Sequence, residues 1–495
     1  MAETENGNDD LPIDRSSDDE FDGLLEPKFN YERIQVLHSF REMLAHDAAS
    51  CIAVHDKFLA IGTQKGFVYI CDHDGNVHWG SRQHRCAVGG IAIDSPGNYV
   101  ISCANDSQIS VVGFGSSDYN QNVFLKCSAK CIAISEDYAK SGSGQRYVTG
   151  DVNLTMHEKG YIHKNKEKVL YQNFEKDGLI ETVSWYRNFI AFTNDTGTRI
   201  YDLELEQVIT LVQPLHSVEL MPSSKFKPTH SWLDNSDSTD SWALAIGWAN
   251  SVCVCTIATT NVPSRRKKDL FEKRGKILHR WKNLPLHIAG LSSTVYEEGG
   301  KFQWEDIVLF GIRAIEEQSY PGDDTSSFCS SRLSTEGTLS EVLLQVLAPI
   351  ESTIDQYEPV IEDQIEMHGS SRLTLAKFHM GAIPRYSTFF LLASKELIRA
   401  MPSSVDDHIK WCLENRLYKH AMEYARDHAS QLEEYKFEEI GKFYIDHLIQ
   451  QGNFNLAVEH VSEVCNYYEV RRQLYVHSLR LCFPQNLLTK CVFMT

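Results

Sequence analysis

Between residues 47 and 75 short apolar runs alternate with polar punctuation. Cys51 to Val54, Phe58 to Ile61 and Phe67 to Cys71 are separated by His55-Asp56-Lys57 and Gly62-Thr63-Gln64-Lys65-Gly66, then closed by Asp72-His73-Asp74-Gly75. Runs of this length bounded by Gly, Asp and Asn predict strands joined by tight turns, the grammar of an antiparallel meander. Such a sheet cannot bury both of its faces alone and needs neighbours of its own kind.

The pattern recurs. A second copy uses Gly90 to Ile93, Tyr99 to Cys103 and Ile109 to Val112, and a third uses Cys131 to Ile134, Tyr147 to Gly150 and Asn153 to Met156. The fourth is the most regular, with Glu181 to Trp185, Phe189 to Thr193 and Arg199 to Tyr201. A fifth runs through Trp242 to Gly247 and Val252 to Cys255, and a sixth through Asp306 to Gly311 and Glu341 to Leu347. The seventh takes Arg372 to Ala376, Thr388 to Ser394 and Glu396 to Ala400. A period of roughly 40 to 45 residues with about four strands per unit is the signature of a β-propeller.

After Met401-Pro402-Ser403-Ser404 the apolar period becomes helical. Val405 to Glu414, capped by Ser404, turns at Asn415-Arg416 into Leu417 to His428, and Glu433 to Gln450 and Phe454 to Cys465 follow. Paired helices with small residues at their crossings are the unit of an α-solenoid. The expected class is therefore β+α multidomain: a seven-bladed WD40-like propeller followed by the start of an α-solenoid. The divisions are an acidic tail over 1–28, the propeller over 29–402 with inserted loops near 261–282 and 316–338, helical pairs over 403–480, and an irregular apolar tail over 481–495.

Composition narrows the function classes. The 495 residues with 42% apolar content suffice for two or three domains. A net charge of -19 argues against nucleic-acid binding, because an acidic surface repels phosphates. The 13 cysteines form no CxxC pair and read as buried thiols, with neither a metal nor a disulfide framework. No phosphate-cradling GxxxxGK[ST], no GxSxG elbow and no HExxH helix occurs, so neither a catalytic residue nor a cofactor is assigned.

Two stretches carry binding chemistry. In the tail, Glu20-Phe21-Asp22-Gly23-Leu24-Leu25 has the spacing of an acidic dileucine signal, in which Leu24 and Leu25 enter an apolar slot while Glu20 meets a basic rim. The alternative is a tail whose leucines dock on its own propeller. Within Asn261 to Lys282, the cations Arg265, Arg266, Lys267, Lys268, Lys273 and Arg274 stand among apolar residues, as in a segment that meets an anionic membrane or an acidic partner. The alternative is a solvated loop or an outer strand. Glu316 to Thr338, rich in Ser, Thr, Gly and Asp, reads as a loop between strands.

The strings Lys28-Phe29-Asn30-Tyr31-Glu32-Arg33, Asp47-Ala48-Ala49-Ser50-Cys51, Val54-His55-Asp56-Lys57-Phe58-Leu59-Ala60, Ile246-Gly247-Trp248 and Asp406-Asp407-His408-Ile409-Lys410-Trp411 carry a closer likeness. Together they resemble the vacuolar protein sorting protein 41 family, a propeller-solenoid subunit of the homotypic fusion and vacuole protein sorting (HOPS) tether. The resemblance implies a non-enzymatic cytosolic scaffold on late endosomes and lysosomes, with clathrin-heavy-chain-type repeats after the propeller. Implied partners are the other tether subunits, Rab- and Arl-type small GTPases and the clathrin-adaptor complex of the third class. The last of these adds weight to Glu20, Leu24 and Leu25. Two alternatives stay open: a coat or ciliary-transport scaffold serving another membrane, and a hydrolase using the central channel.

Family members continue through further helical repeats to a zinc-binding RING-like end. Here Leu481-Cys482-Phe483-Pro484 stops the helical pattern and Asn486 to Thr495 is apolar without a polar face. The expectation is a shortened product of a longer coding sequence.

Overall fold

The computed structural model describes residues 28–34, 40–114, 120–159, 165–233, 242–262, 270–298, 301–314, 340–350, 352–367 and 374–464. They divide into two compact units: residues 31–401, and a helical unit that includes 402–464.

Seven four-stranded antiparallel sheets make up the first unit. Blade 1 runs from Ala49–His55 to Val77–Arg82, blade 2 from Val88–Ile93 to Gln121–Phe124 and blade 3 from Cys131–Ile134 to Lys166–Gln172. Blade 4 runs from Thr182–Tyr186 to Gln207–Val212, blade 5 from Thr229–Leu233 to Leu270–Trp281 and blade 6 from His287–Glu298 to Tyr357–Gln364. Blade 7 takes three strands from His379–Ile383 to Leu397–Pro402, and its outermost strand is Phe29–Arg33. The first strand of each blade touches that of the next, and blade 7 touches blade 1, so the ring is closed. A short helix, α1 (Phe40–Met43), leads into blade 1 and buries Phe40 and Leu44 in its core.

Burial explains which runs the sequence displays. The second strands, such as Phe58–Thr63, Tyr99–Ala104, Phe189–Asn194 and Ala243–Trp248, are buried at every position, because each blade is covered on both faces by its neighbours. Residues buried on both faces read as continuous apolar runs. The fourth strands Val77–Arg82 and Gln121–Phe124 alternate exposed and half-buried residues at the rim, and sequence reading passed over them. A bulge between third and fourth strands in blades 1, 3, 4, 5 and 6 bends the outer strand locally.

Two expectations need correction. Residues 270–281 do not belong to an inserted loop: they pair with Ser251–Val262 as the outer strand of blade 5. The cations obscured a strand whose last residue, Trp281, is fully buried and donates its indole N–H to the Gln356 carbonyl at 3.1 Å. In blade 7, Arg372 to Ala376 is not the first strand; Leu375–Lys377 is a 3₁₀ turn, and the strand is His379–Ile383. The Leu373-Thr374-Leu375 alternation imitates a strand that in fact begins after the turn. The expected insertion at 316–338, the helical residues 465–480 and the tail 481–495 lie outside the described residues.

The helical unit contains α2 (Val405–Glu414), α3 (Tyr418–Asp427), α4 (Phe437–Gln450) and α5 (Phe454–Val464). Ser404 and Asp407 form a reciprocal capping box that satisfies two of the amide groups left over at the start of α2. Ile409, Cys412, Ala421, Met422, Ile440, Tyr444 and Leu448 share one core. Asp406 is buried and accepts N–H bonds from Glu433, Glu434 and Tyr435, which fixes the connection entering α4. Burial tends to raise its pKa, but the three amides prevail and hold the carboxyl below its usual range.

Candidate functional site

Where the first strands converge, small residues are required. At Gly290 an added Cβ would lie 2.2 Å from the Met380 Cβ of the next blade, so the two strands could not approach as they do. Convergence leaves an axial pocket of about 330 Å³ lined by residues from several blades, among them Cys51, Gly89, Cys131, Glu181, Lys227, His230 and His379.

The pocket's electrostatics follow from burial. Desolvation pushes the Cys51 thiol up to about 11 and the Cys131 thiol to about 12, with Lys227 only partly opposing. It also lowers the His230 and His379 imidazoles to about 3, and for His379 the Lys227 ammonium pushes the same way. Both nitrogens of His230 meet hydroxyls: Thr193 Oγ1 at 2.7 Å and Ser184 Oγ at 3.2 Å. The lining carboxylate, Glu181, is 2.7 Å from the Lys130 ammonium. At neutral pH the thiols are therefore protonated and the imidazoles neutral; beside them lie the Lys130–Glu181 pair and Lys227, whose Nζ donates to the Gly89 carbonyl at 3.4 Å. None of these thiols or imidazoles is tuned near neutrality as a nucleophile or general base would be.

Of the residues singled out in the sequence, Glu20, Leu24, Leu25, Arg265, Arg266, Lys267 and Lys268 lie outside the described residues. Arg274 is exposed on the outer strand of blade 5. Lys273 is engaged instead with blade 4: its ammonium sits 2.9 Å from Asp202 Oδ2 and 2.8 Å from Glu204 Oε2, and 5.2 Å over the Phe189 ring. The two positions thus differ in role although they are adjacent in sequence. The pocket itself escaped sequence reading because it is assembled from residues far apart along the chain, each of which reads locally as strand or turn.

Residues 29–401 match a propeller family described as the Vps42 beta-propeller and labelled for Vps41. The chain belongs to the Vps41 propeller family. The Vps41 match covers all seven blades and stops just before the helical unit. Among curated relatives, the vacuolar protein sorting-associated protein 41 homologs of Caenorhabditis briggsae and Caenorhabditis elegans are 34% and 33% identical, each over 92% of this chain. The Homo sapiens homolog is 27% identical over 89% of it. The C. briggsae alignment spans 466 residues and so extends beyond the propeller. The chain spans about half the length of these Vps41 relatives: 49%, 49% and 46% of each.

Proposed function

We propose that this chain is a non-enzymatic scaffold of an endolysosomal vesicle tether, acting in protein transport to late endosomes and lysosomes, in membrane fusion there and in adaptor-dependent cargo delivery. The observation that carries the reading is a closed Vps41-family ring accompanied by paired helices, with no thiol or imidazole of its axial pocket tuned for catalysis at neutral pH. The relatives' names supply the vacuolar sorting context. Propeller rims and stacked helices present extended surfaces suited to several protein partners at once. Those proposed are the other HOPS subunits, Rab- and Arl-type small GTPases and the third clathrin-adaptor complex, the last recognising Glu20, Leu24 and Leu25. Among the described residues no helix is long and apolar enough to cross a membrane, and the proposed attachment is peripheral.

Proximity labelling of the tagged chain in cells, followed by pull-down with purified tether subunits, GTPases and adaptors, tests this. Enrichment of endolysosomal surface proteins and capture of at least one of those classes is expected. Labelling confined to a ciliary or other coat compartment, or capture of none of them, overturns the assignment.

A further inference from the structure

The first hairpin of the helical unit brings together three potential metal ligands. His408 and Cys412 stand four residues apart on α2, so their side chains lie on one helical face. His420 stands on α3, across the turn at Asn415 and Arg416. One ligand atom from each of the three side chains lies within 4.8 Å of the other two. His408 Nε2 and Cys412 Sγ are 3.4 Å apart, and the His408 and His420 rings meet edge-on with centroids 5.4 Å apart. His408 and Cys412 are buried while His420 is half-buried.

The geometry suits a small tetrahedral ion. With a metal–sulfur bond near 2.3 Å and a metal–nitrogen bond near 2.05 Å, a tetrahedral centre sets the two donor atoms roughly 3.6 Å apart. The observed separation on α2 is within 0.2 Å of that, and adjustment of the half-buried His420 ring supplies the remaining closure. A thiolate with two imidazoles is the donor set of zinc, which combines these ligand types and leaves a fourth position for water. We propose that His408, Cys412 and His420 form a zinc site that fastens α2 to α3. Without the ion, the Cys412 thiol and His408 imidazole hydrogen-bond within α2, and the hairpin is held by its apolar core, the hydrogen bonds of its turn and the ring contact of His408 with Tyr424.

The test uses the full chain, stripped of metal by chelation and titrated with cobalt(II). Binding of one equivalent with a thiolate-to-cobalt charge-transfer band, bleached by zinc, is expected. Cys412→Ala should abolish the band. His420→Gln should weaken cobalt binding at least tenfold while leaving far-ultraviolet dichroism unchanged. Because Cys412 is fully buried and its replacement risks unfolding the hairpin, His420→Gln decides the matter if Cys412→Ala loses helix. Absence of the band in the parent chain overturns the proposal, as does a band of equal affinity in His420→Gln, which would remove His420 as a ligand.

Discussion

Arg399, in the third strand of blade 7, places its Nε 3.1 Å from an oxygen of Glu32, a residue of the outermost strand that lies 367 positions earlier in the chain. A second guanidinium nitrogen of Arg399 reaches Asp74 of the blade 1 hairpin at 3.1 Å. The Ile34 amide donates to the Leu397 carbonyl at 2.9 Å, and the Tyr31 hydroxyl donates to Asp363 in the outer strand of blade 6 at 2.6 Å. One short strand thus closes the ring through backbone pairing, charge and a half-buried phenol, and one arginine ties together three segments distant in sequence.

Replacing Arg399 with Ala is expected to lower stability by about 1 kcal/mol, since the carboxylates it joins are substantially exposed. Hydrogen exchange should speed up at residues 31–34 and stay unchanged in blade 3. Equal protection in both regions would mean that backbone pairing alone holds the closing strand.

Lys273 offers a sharper contrast, because Asp202 is fully buried and the contacted oxygen has no hydrogen-bond partner among the described residues beyond this ammonium. Lys273→Met should destabilise by about 3 kcal/mol by stranding a buried charge. The double variant with Asp202→Asn should recover most of that loss in urea titrations. If the double variant is no more stable than Lys273→Met alone, the ion pair is not the source of the effect.

Acid should weaken the propeller before it titrates ordinary carboxylates. His230 and His379 are held neutral with pKa values near 3, whereas imidazoles in an unfolded chain protonate near 6.5. The unfolded state then binds more protons below about 6.5, so stability is fully present above that pH and is lost as pH falls toward 3. A drop of about 2 kcal/mol per histidine is expected between pH 7.5 and 5. His84, His157 and His287, lowered by burial too, add to the loss, whereas the carboxyls Asp94 and Asp306, raised by burial, oppose it; Asp406, held low, contributes only below the ordinary carboxylate range. Unchanged urea midpoints at the two pH values would contradict the expectation, and His230→Gln should flatten the slope.

The two stretches proposed to bind partners are expected to act independently of the fold. Leu24→Ala with Leu25→Ala is expected to weaken adaptor binding at least tenfold in calorimetry, because each buried leucine contributes roughly 1.5 to 3 kcal/mol. Neutralising Arg265, Arg266, Lys267 and Lys268 should reduce binding to anionic liposomes without shifting the melting temperature, each charge contributing up to about 1 kcal/mol near such a surface. Unchanged binding in either measurement removes that stretch from the function.

Legibility followed burial. Phe189 to Thr193 is legible in the sequence because both of its faces are covered, every position is buried and all but Thr193 are apolar. Val77–Arg82 and Thr229–Leu233 were missed because half-buried strands admit His, Gly, Ser and Thr, which read equally well as loop. Leu270–Trp281 reads from sequence as a loop, with an outer strand as the alternative, because rim strands tolerate cations; its packing comes from Ile277, Leu278 and the fully buried Trp281 near its end. The helices were legible from Ser404 capping and the spacing of Ile440, Tyr444 and Leu448. The axial pocket and the His408, Cys412 and His420 cluster depend on proximity across turns and blades, for which periodicity carries no signal.

The closing strand also sets a schedule for synthesis. Phe29–Arg33 leaves the ribosome before any blade exists, yet the strand it must pair with ends at Pro402. At about 5 to 20 residues per second, roughly 20 to 75 s separate the emergence of the two edges. Throughout that interval the first segment has no partner strand and the growing arc keeps an open edge capable of pairing with another nascent chain. A chaperone that shields such edges would therefore be needed most on polysomes, where several unfinished rings lie side by side.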